Sequence, residues 1–471
     1  MLLFRKLNER IKFKVMKGYK AFKKGMVCRD KQYKENTIFE EEKAVISQRG
    51  MHFCKEPLDV LEYYPLVDDN GNMSEFAEVE ALEDCKTDNK KYCTKKLKIG
   101  AKIDFSALVQ ASINLELKKT PTDETNIKNS SGDFAKIGLN GDFAQIGSSG
   151  DFSKIGSIGD FAKIGSSGDD VQIGSSGYSA KIGSSGYSAK IGSSGDDAQI
   201  GTSGDYAQIG SSGNNAKIGS SSYDAQIGSS GDFAKIGSSG YYAKIGSSGY
   251  SAQIGSSGDF AKISSNGNSA KIGSSGNSAQ IGSSGYDAQI GSSGDYAQIG
   301  SSGNSAKIVS SGDSAQIGSS GYYAKIGSSG YSAQIGSSGD FAKISSNGNS
   351  AKIGSSGNSA QIGSSGYDAQ IGSSGDYAQI GSSGNSAKIG SSGDSARVTS
   401  NGNYSVICCI GNNSIAKAKI GSWITLSEYK YNEKKNVNIP ICVKTEYVDG
   451  RKIKANTFYK LKNGKFTECY E

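Results

Sequence analysis

Few residues in this chain are equipped for acid–base or nucleophilic chemistry. The single histidine, His52, lies in a strand-like run, Gly50–Cys54, and a helical stretch then leads to Glu78 and Glu80 on an alternating segment. A strand imidazole with a later carboxylate is the raw material of a general-base site. A lone strand histidine is also an ordinary structural residue. The eight cysteines (Cys28, Cys54, Cys85, Cys93, Cys408, Cys409, Cys442 and Cys469) contain no C-x-x-C pair, so spacing gives no support to zinc. There is no nucleophile elbow, no phosphate-binding loop and no H-E-x-x-H helix. His52, Glu78 and Glu80 are the candidate catalytic residues, and no cofactor or metal is expected.

These residues flank an array that fills more than half of the chain. From 132 to 398 the nonapeptide G-S-S-G-[DNY]-[SFYDN]-A-[KQ]-I recurs without insertion or deletion, thirty times counted by the ninth-place residue from Ile137 to Val398. Strict length keeping means that each repeat is one structural step. Ala144 and Ile146 are expected inside, with Phe143 and Gln145 outside. The fold class is therefore mainly β, a parallel β-solenoid with strands over places six to nine and corners over places one to four. Place four is glycine in all repeats but the one with Ser222, whereas place one admits Val309, so place four is expected to hold the left-handed backbone. Two repeats per coil and three repeats per coil both remain open. A glutamine grouping at every third repeat, and the recurrence of Tyr241–Ser314 as Tyr322–Ser395 nine repeats on, favour three. Duplication alone would also produce both.

The array offers three surface chemistries. Calcium ladders need a carboxylate at a fixed place, yet place five is Tyr or Asn in sixteen of thirty repeats. Twenty-one Tyr and Phe occupy places five and six beside Lys or Gln. They are expected to stack on one another up the face, in preference to stacking on bases or sugars. Ice binding needs flat hydroxyl rows, which the paired serines (Ser148, Ser149) supply but bulky rings interrupt. The thirty repeats carry nineteen Asp against sixteen Lys and Arg, so they provide no basic track for nucleic acid. The net charge of +7 arises in the flanks.

The flanks look globular. Residues 1–15 read as a basic amphipathic helix with Leu3, Leu7, Ile11 and Val15 on one side. Residues 16–117 form a small α+β domain, with a helix over Glu56–Tyr64 and another capped by Asp104 or Ser106. Residues 118–131 read as a polar linker. Residues 399–435 hold decaying repeats, a cap that Trp423 is expected to seal. Residues 436–471 form a small β-rich C-terminal domain with Asp449-Gly450 and Asn463-Gly464 turns. Met1–Phe4 is too short for an export signal and no run reaches membrane-spanning length, so a cytoplasmic or virion protein with reduced thiols is expected.

The runs GYKAF…CRDKQY (Gly18–Tyr33), GMHFCKEPLDVLEYY (Gly50–Tyr64), FAEVEAL (Phe76–Leu82) and KLKIGAKI (Lys96–Ile103) resemble an uncharacterised domain of phage and prophage proteins. In that family the domain precedes Gly-rich nonapeptides, and the ending Val448–Glu468 is also similar. The resemblance implies an architecture and a phage or prophage setting, without an activity. The order of His52, helix, Glu78 and Glu80 is in addition similar to that of small ADP-ribosyltransferase-like domains. Two readings follow: a non-enzymatic scaffold with protein partners at its end domains, or a nucleotide-using N-terminal enzyme on a solenoid stalk. The oligomeric state is left open.

Overall fold

The computed structural model describes residues 15–67, 74–88, 90–119 and 127–470. The basic helix expected over residues 1–15 lies, but for Val15, outside them. The chain divides into two compact units, residues 1–236 with 244–246, and 237–243 with 247–471.

In the first unit, residues 16–119 build a seven-stranded antiparallel sheet. Its strands are β1 (Met16–Phe22), β4 (Thr37–Glu40), β5 (Met51–Cys54), β6 (Glu75–Ala81), β7 (Lys86–Thr87), β8 (Lys91–Thr94) and β9 (Lys96–Ile103), ordered β4-β9-β6-β1-β5-β8-β7. A small ribbon, β2 (Val27–Cys28) with β3 (Lys31–Gln32), stands beside it. One face buries Phe22, Tyr33, Met51, Phe53, Val79 and Leu97. The other packs Ala21, Cys54 and Phe76 under Leu58, Leu61, Phe105, Leu108 and Val109. The expected Glu56–Tyr64 helix is a 3-10 turn over Leu58–Glu62 after Pro57. Helix α1 (Phe105–Lys119) begins as expected, the Asp104 carboxylate accepting the Ala107 N–H at 2.7 Å.

The array folds as a parallel β-solenoid of about 17 turns over residues 127–426. Each strand pairs with the next strand but one, Ile146 opposite Ile164 and Ile164 opposite Ile182, so a coil holds two repeats rather than three. Two parallel ladders result, one from each alternate set of repeats; the threefold glutamine grouping is not a coil period. Both ladders recur in the second unit, for instance Ile317 opposite Ile335 and Ile326 opposite Ile344. Ala at place seven and Ile at place nine form the core. Each isoleucine withdrawn from water contributes about 1.5–3 kcal/mol.

The strands sit two residues later than the sequence suggests, over places eight, nine, one and two (Gln145–Ser148), with the turn over places four to seven. The serine at place two therefore points inward; Ser157 and Ser175 are fully buried and Ser149 is exposed. The two serine rows do not form one hydroxyl face. The left-handed backbone is also displaced, to place six, where Phe134, Phe152 and Ser332 have φ between 56 and 58°. That conformation turns the place-six N–H toward the next coil, as in Phe134 N–H to Asp151 O at 2.7 Å.

The solenoid begins inside the expected linker, because Ile127–Ser130 already pairs with Gln145–Ser148. At the far end Trp423–Asn432 stacks parallel on Val406–Cys409 and turns back antiparallel into Val437–Tyr447. A second hairpin, Phe458–Lys462 with Lys465–Cys469, turns at Asn463-Gly464 and meets Ile415–Lys417 at Ala416 and Tyr459. The C-terminal segment thus continues the solenoid's own ladders. Trp423 does not seal the end: it is 47% exposed and leans on Tyr447, while Leu426, Val448, Tyr459 and Leu461 are buried.

Candidate functional site

Beside β1 and β5 lies a cavity of about 480 Å³. These strands pair at Tyr19 and Cys54, and the Lys20 ammonium donates to the His52 carbonyl at 2.8 Å. Lys20 is only 5% exposed and lies 5.5 and 5.2 Å from the ring centres of Phe22 and Tyr33. Among the described residues no carboxylate pairs with it. Burial holds its pKa below that of an ordinary lysine.

Around this ammonium the loops place more positive charge. Arg29, in the left-handed turn between β2 and β3, donates to the carbonyls of Gln48 at 3.1 Å and Ser47 at 3.5 Å. Lys91 donates to Ser47 Oγ at 3.2 Å and sits 4.3 Å from the Tyr63 ring centre. Lys31 pairs with Glu41 at 2.5 Å, and Arg49 completes five cationic residues on the wall against Asp30 and Glu41. The Tyr64 hydroxyl donates to Cys28 Sγ at 3.0 Å and accepts the Arg29 N–H at 3.2 Å.

His52 belongs to this wall. Its Nε2 accepts the Ser47 N–H at 3.1 Å, which requires the neutral ring. Burial, then Lys20, Lys91 and Arg29, lower its pKa to about 4. Glu78 and Glu80 are not part of the cavity wall. Glu78 is exposed opposite Tyr19, and Glu80 pairs with Lys98 at 3.1 Å and Lys17 at 3.7 Å. The structure therefore brings only the first of the three predicted residues to the site. All eight cysteines are free thiols. Burial, with Asp59 and Glu62 nearby, pushes the Cys54 thiol up to about 12, the reverse of nucleophile activation. With five cationic residues against two acids, the wall can hold an anion.

Sequence reasoning passed over Lys20, although a signal was present. In GYKAF it shares the parity of the core residue Phe22, and a lysine at an inward strand position is a buried charge.

A second feature joins this domain to the coil. Helix α1 lies over the place-one glycines of one ladder, where a Cβ on Gly192 would overlap Val109 and one on Gly210 would overlap Phe105. Gln172 donates to Asp59 Oδ1 at 2.9 Å, both side chains buried, and Lys190 pairs with Glu62 at 3.3 Å. Ile158, standing where the repeat has an outward serine, packs into the same core.

Residues 16–111 match the family model of a domain of unknown function, DUF7666. No curated protein and no solved structure matches the chain. Both the cavity and the surface that docks on the solenoid belong to this DUF7666 domain.

On the solenoid the place-five row is a hydrogen-bond ladder where it holds Asp or Asn, and Tyr interrupts it. Asp133 Oδ1 accepts the Asp151 N–H at 3.0 Å, and Asn214 Oδ1 accepts the Asp232 N–H at 3.0 Å. Asp and Asn are interchangeable there because a carbonyl oxygen does the same work. The place-six rings stack as expected, Phe134 on Phe152 at 5.0 Å and Tyr323 on Phe341 at 5.1 Å. Among the described residues, no helix is long and apolar enough to cross a membrane.

Proposed function

We propose that this is a non-enzymatic scaffold protein of phage or prophage type, its solenoid a rigid spacer and binding scaffold, with protein partners at the end domains. The observation that carries this reading is the buried Gln172–Asp59 hydrogen bond beneath α1. A domain tethered only by its chain would not bury polar groups against the coil; this one is fixed on it in a single orientation. The coil has structural uses for its Ala and Ile rows, its place-five carbonyl oxygens and its stacked place-six rings. The phage or prophage setting rests on the resemblance of the flanking segments.

The alternative, a nucleotide-using enzyme of ADP-ribosyltransferase-like kind, asks for His52 and a glutamate on one ligand. Neither Glu78 nor Glu80 lines the cavity, and Glu80 is paired with Lys98, which weighs against it.

Removal of whole coils tests the scaffold reading. Deletion of Gly318–Ile371, six repeats or three coils, is expected to leave a soluble folded protein shortened by about 14 Å in X-ray scattering, at about 4.8 Å per rung. Aggregation, or an unchanged maximum dimension, would count against a modular spacer.

A further inference from the structure

We infer that the cavity of the DUF7666 domain is a binding site for a small phosphomonoester carrying an aromatic ring, of the size and charge of a nucleoside monophosphate. The inference goes beyond the scaffold reading and does not depend on it.

Charge is the first argument. An ammonium buried to the extent of Lys20 is costly unless an opposite charge reaches it. The fold gives it one neutral carbonyl, the Cys28 thiol and two ring faces. Of the two acids on the wall, Glu41 is already held by Lys31. Arg29 spends its guanidinium on backbone carbonyls and Lys91 on a hydroxyl and a ring. Positive charge therefore exceeds negative by more than a monoanion would balance. A phosphomonoester, carrying close to two negative charges at neutral pH, meets that excess better than a carboxylate.

Shape is the second argument. At about 480 Å³ the cavity falls within the range of roughly 300–1,000 Å³ usual for small-molecule sites. Its wall includes Tyr19, Tyr33, Phe53, Tyr63 and Tyr64, so an aromatic ring has faces to lie against while the phosphate meets Lys20 and Arg29. The chemistry on the wall is that of binding: Cys54 is held protonated, and neither predicted glutamate is present.

Calorimetry on the full chain tests the site with the four ribonucleoside monophosphates, the matching nucleosides and inorganic phosphate. At least one monophosphate is expected to bind about tenfold or more tightly than both its nucleoside and phosphate. Lys20→Met is expected to weaken that binding about tenfold or more while leaving the melting temperature unchanged or raised, since it removes a buried charge. Arg29→Gln, at an exposed position, gives a second reading should Lys20→Met fail to fold. No heat from any monophosphate at millimolar concentration would overturn the inference. So would binding unaffected by both substitutions, or a nucleoside binding as tightly as its monophosphate. Inorganic phosphate binding as tightly as the best nucleotide would overturn the aromatic half of it.

Discussion

A Cβ built on Gly339 would fall on the carbonyl oxygen of Gly321, one coil below. The same collision recurs between Gly330 and Gly312, and between Gly348 and Gly330. Glycine holds place four because successive corners touch backbone to backbone. Left-handed geometry is not the reason: the positive φ of each such turn lies at place six.

Gly339→Ala is therefore expected to destabilise the coil by about 1–3 kcal/mol, the usual cost of overpacking. Gly336→Ala, three residues earlier at place one, meets nothing within 4 Å and should change stability by no more than about 0.5 kcal/mol. Denaturant unfolding of the two variants checks the pair; equal effects would mean that corner contact is not what keeps the glycine.

Much of this architecture was readable because the period is strict. The inward row of Ile and Ala follows from alternation alone, and Ile155 and Ala162 are buried as expected. The phase of the strand was not readable, because Gly-Ser-Ser-Gly carries no apolar signal and looks like a turn throughout. Place two holds serine, and nothing in its polarity says that Ser175 faces the core. Coil length was obscured for a different reason: Lys and Gln at place eight both face solvent over most of the ladder, so their order need not follow the fold. The cavity was legible only through Lys20, and the docking surface only through Ile158, single departures from the local pattern.

The inward serines carry a stability cost. Ser319 and Ser337 lie opposite each other in successive coils, and neither buried hydroxyl oxygen has a hydrogen-bond partner among the described residues. An unsatisfied buried polar group costs about 1–3 kcal/mol. Ser319→Ala removes the oxygen and leaves only a small void, so it is expected to be neutral or to stabilise by up to about 1 kcal/mol. Loss of stability beyond about 1 kcal/mol would show that the hydroxyl has a partner, such as a bound water.

His52 gives the DUF7666 domain an acid sensitivity whose sign is fixed. Its folded pKa of about 4 lies below the unfolded value of 6.5, so between these limits the unfolded chain binds the extra proton. The contribution of the neutral imidazole is complete above pH 6.5 and falls away as pH drops toward about 4. Below that its share is constant. Thermal melts of the wild type and His52→Gln across this window are expected to diverge, with the variant flatter. Parallel curves would place the acid sensitivity on other groups.

The junction between domain and coil rests on Asp59 and Gln172, and their mutual dependence is measurable. Asp59→Ala leaves the Gln172 amide buried without its acceptor and also removes a carboxylate 3.7 Å from Lys154. A loss of about 1–3 kcal/mol in junction stability is expected. It should appear as faster hydrogen exchange in Leu58–Glu62 and in α1, with exchange in the coils of the second unit unchanged. Gln172→Ala alone should cost less, because Asp59 keeps Lys154 and the lost donor leaves no buried amide behind. The double variant should then be less harmful than the sum of the singles, by about 0.5–3 kcal/mol, as for any pair in direct contact. Additive effects would mean that the two side chains act separately, and the fixed mounting of the domain would have to come from α1 on the glycine strip and from contacts such as Lys190 with Glu62 and Ile158 with the domain core.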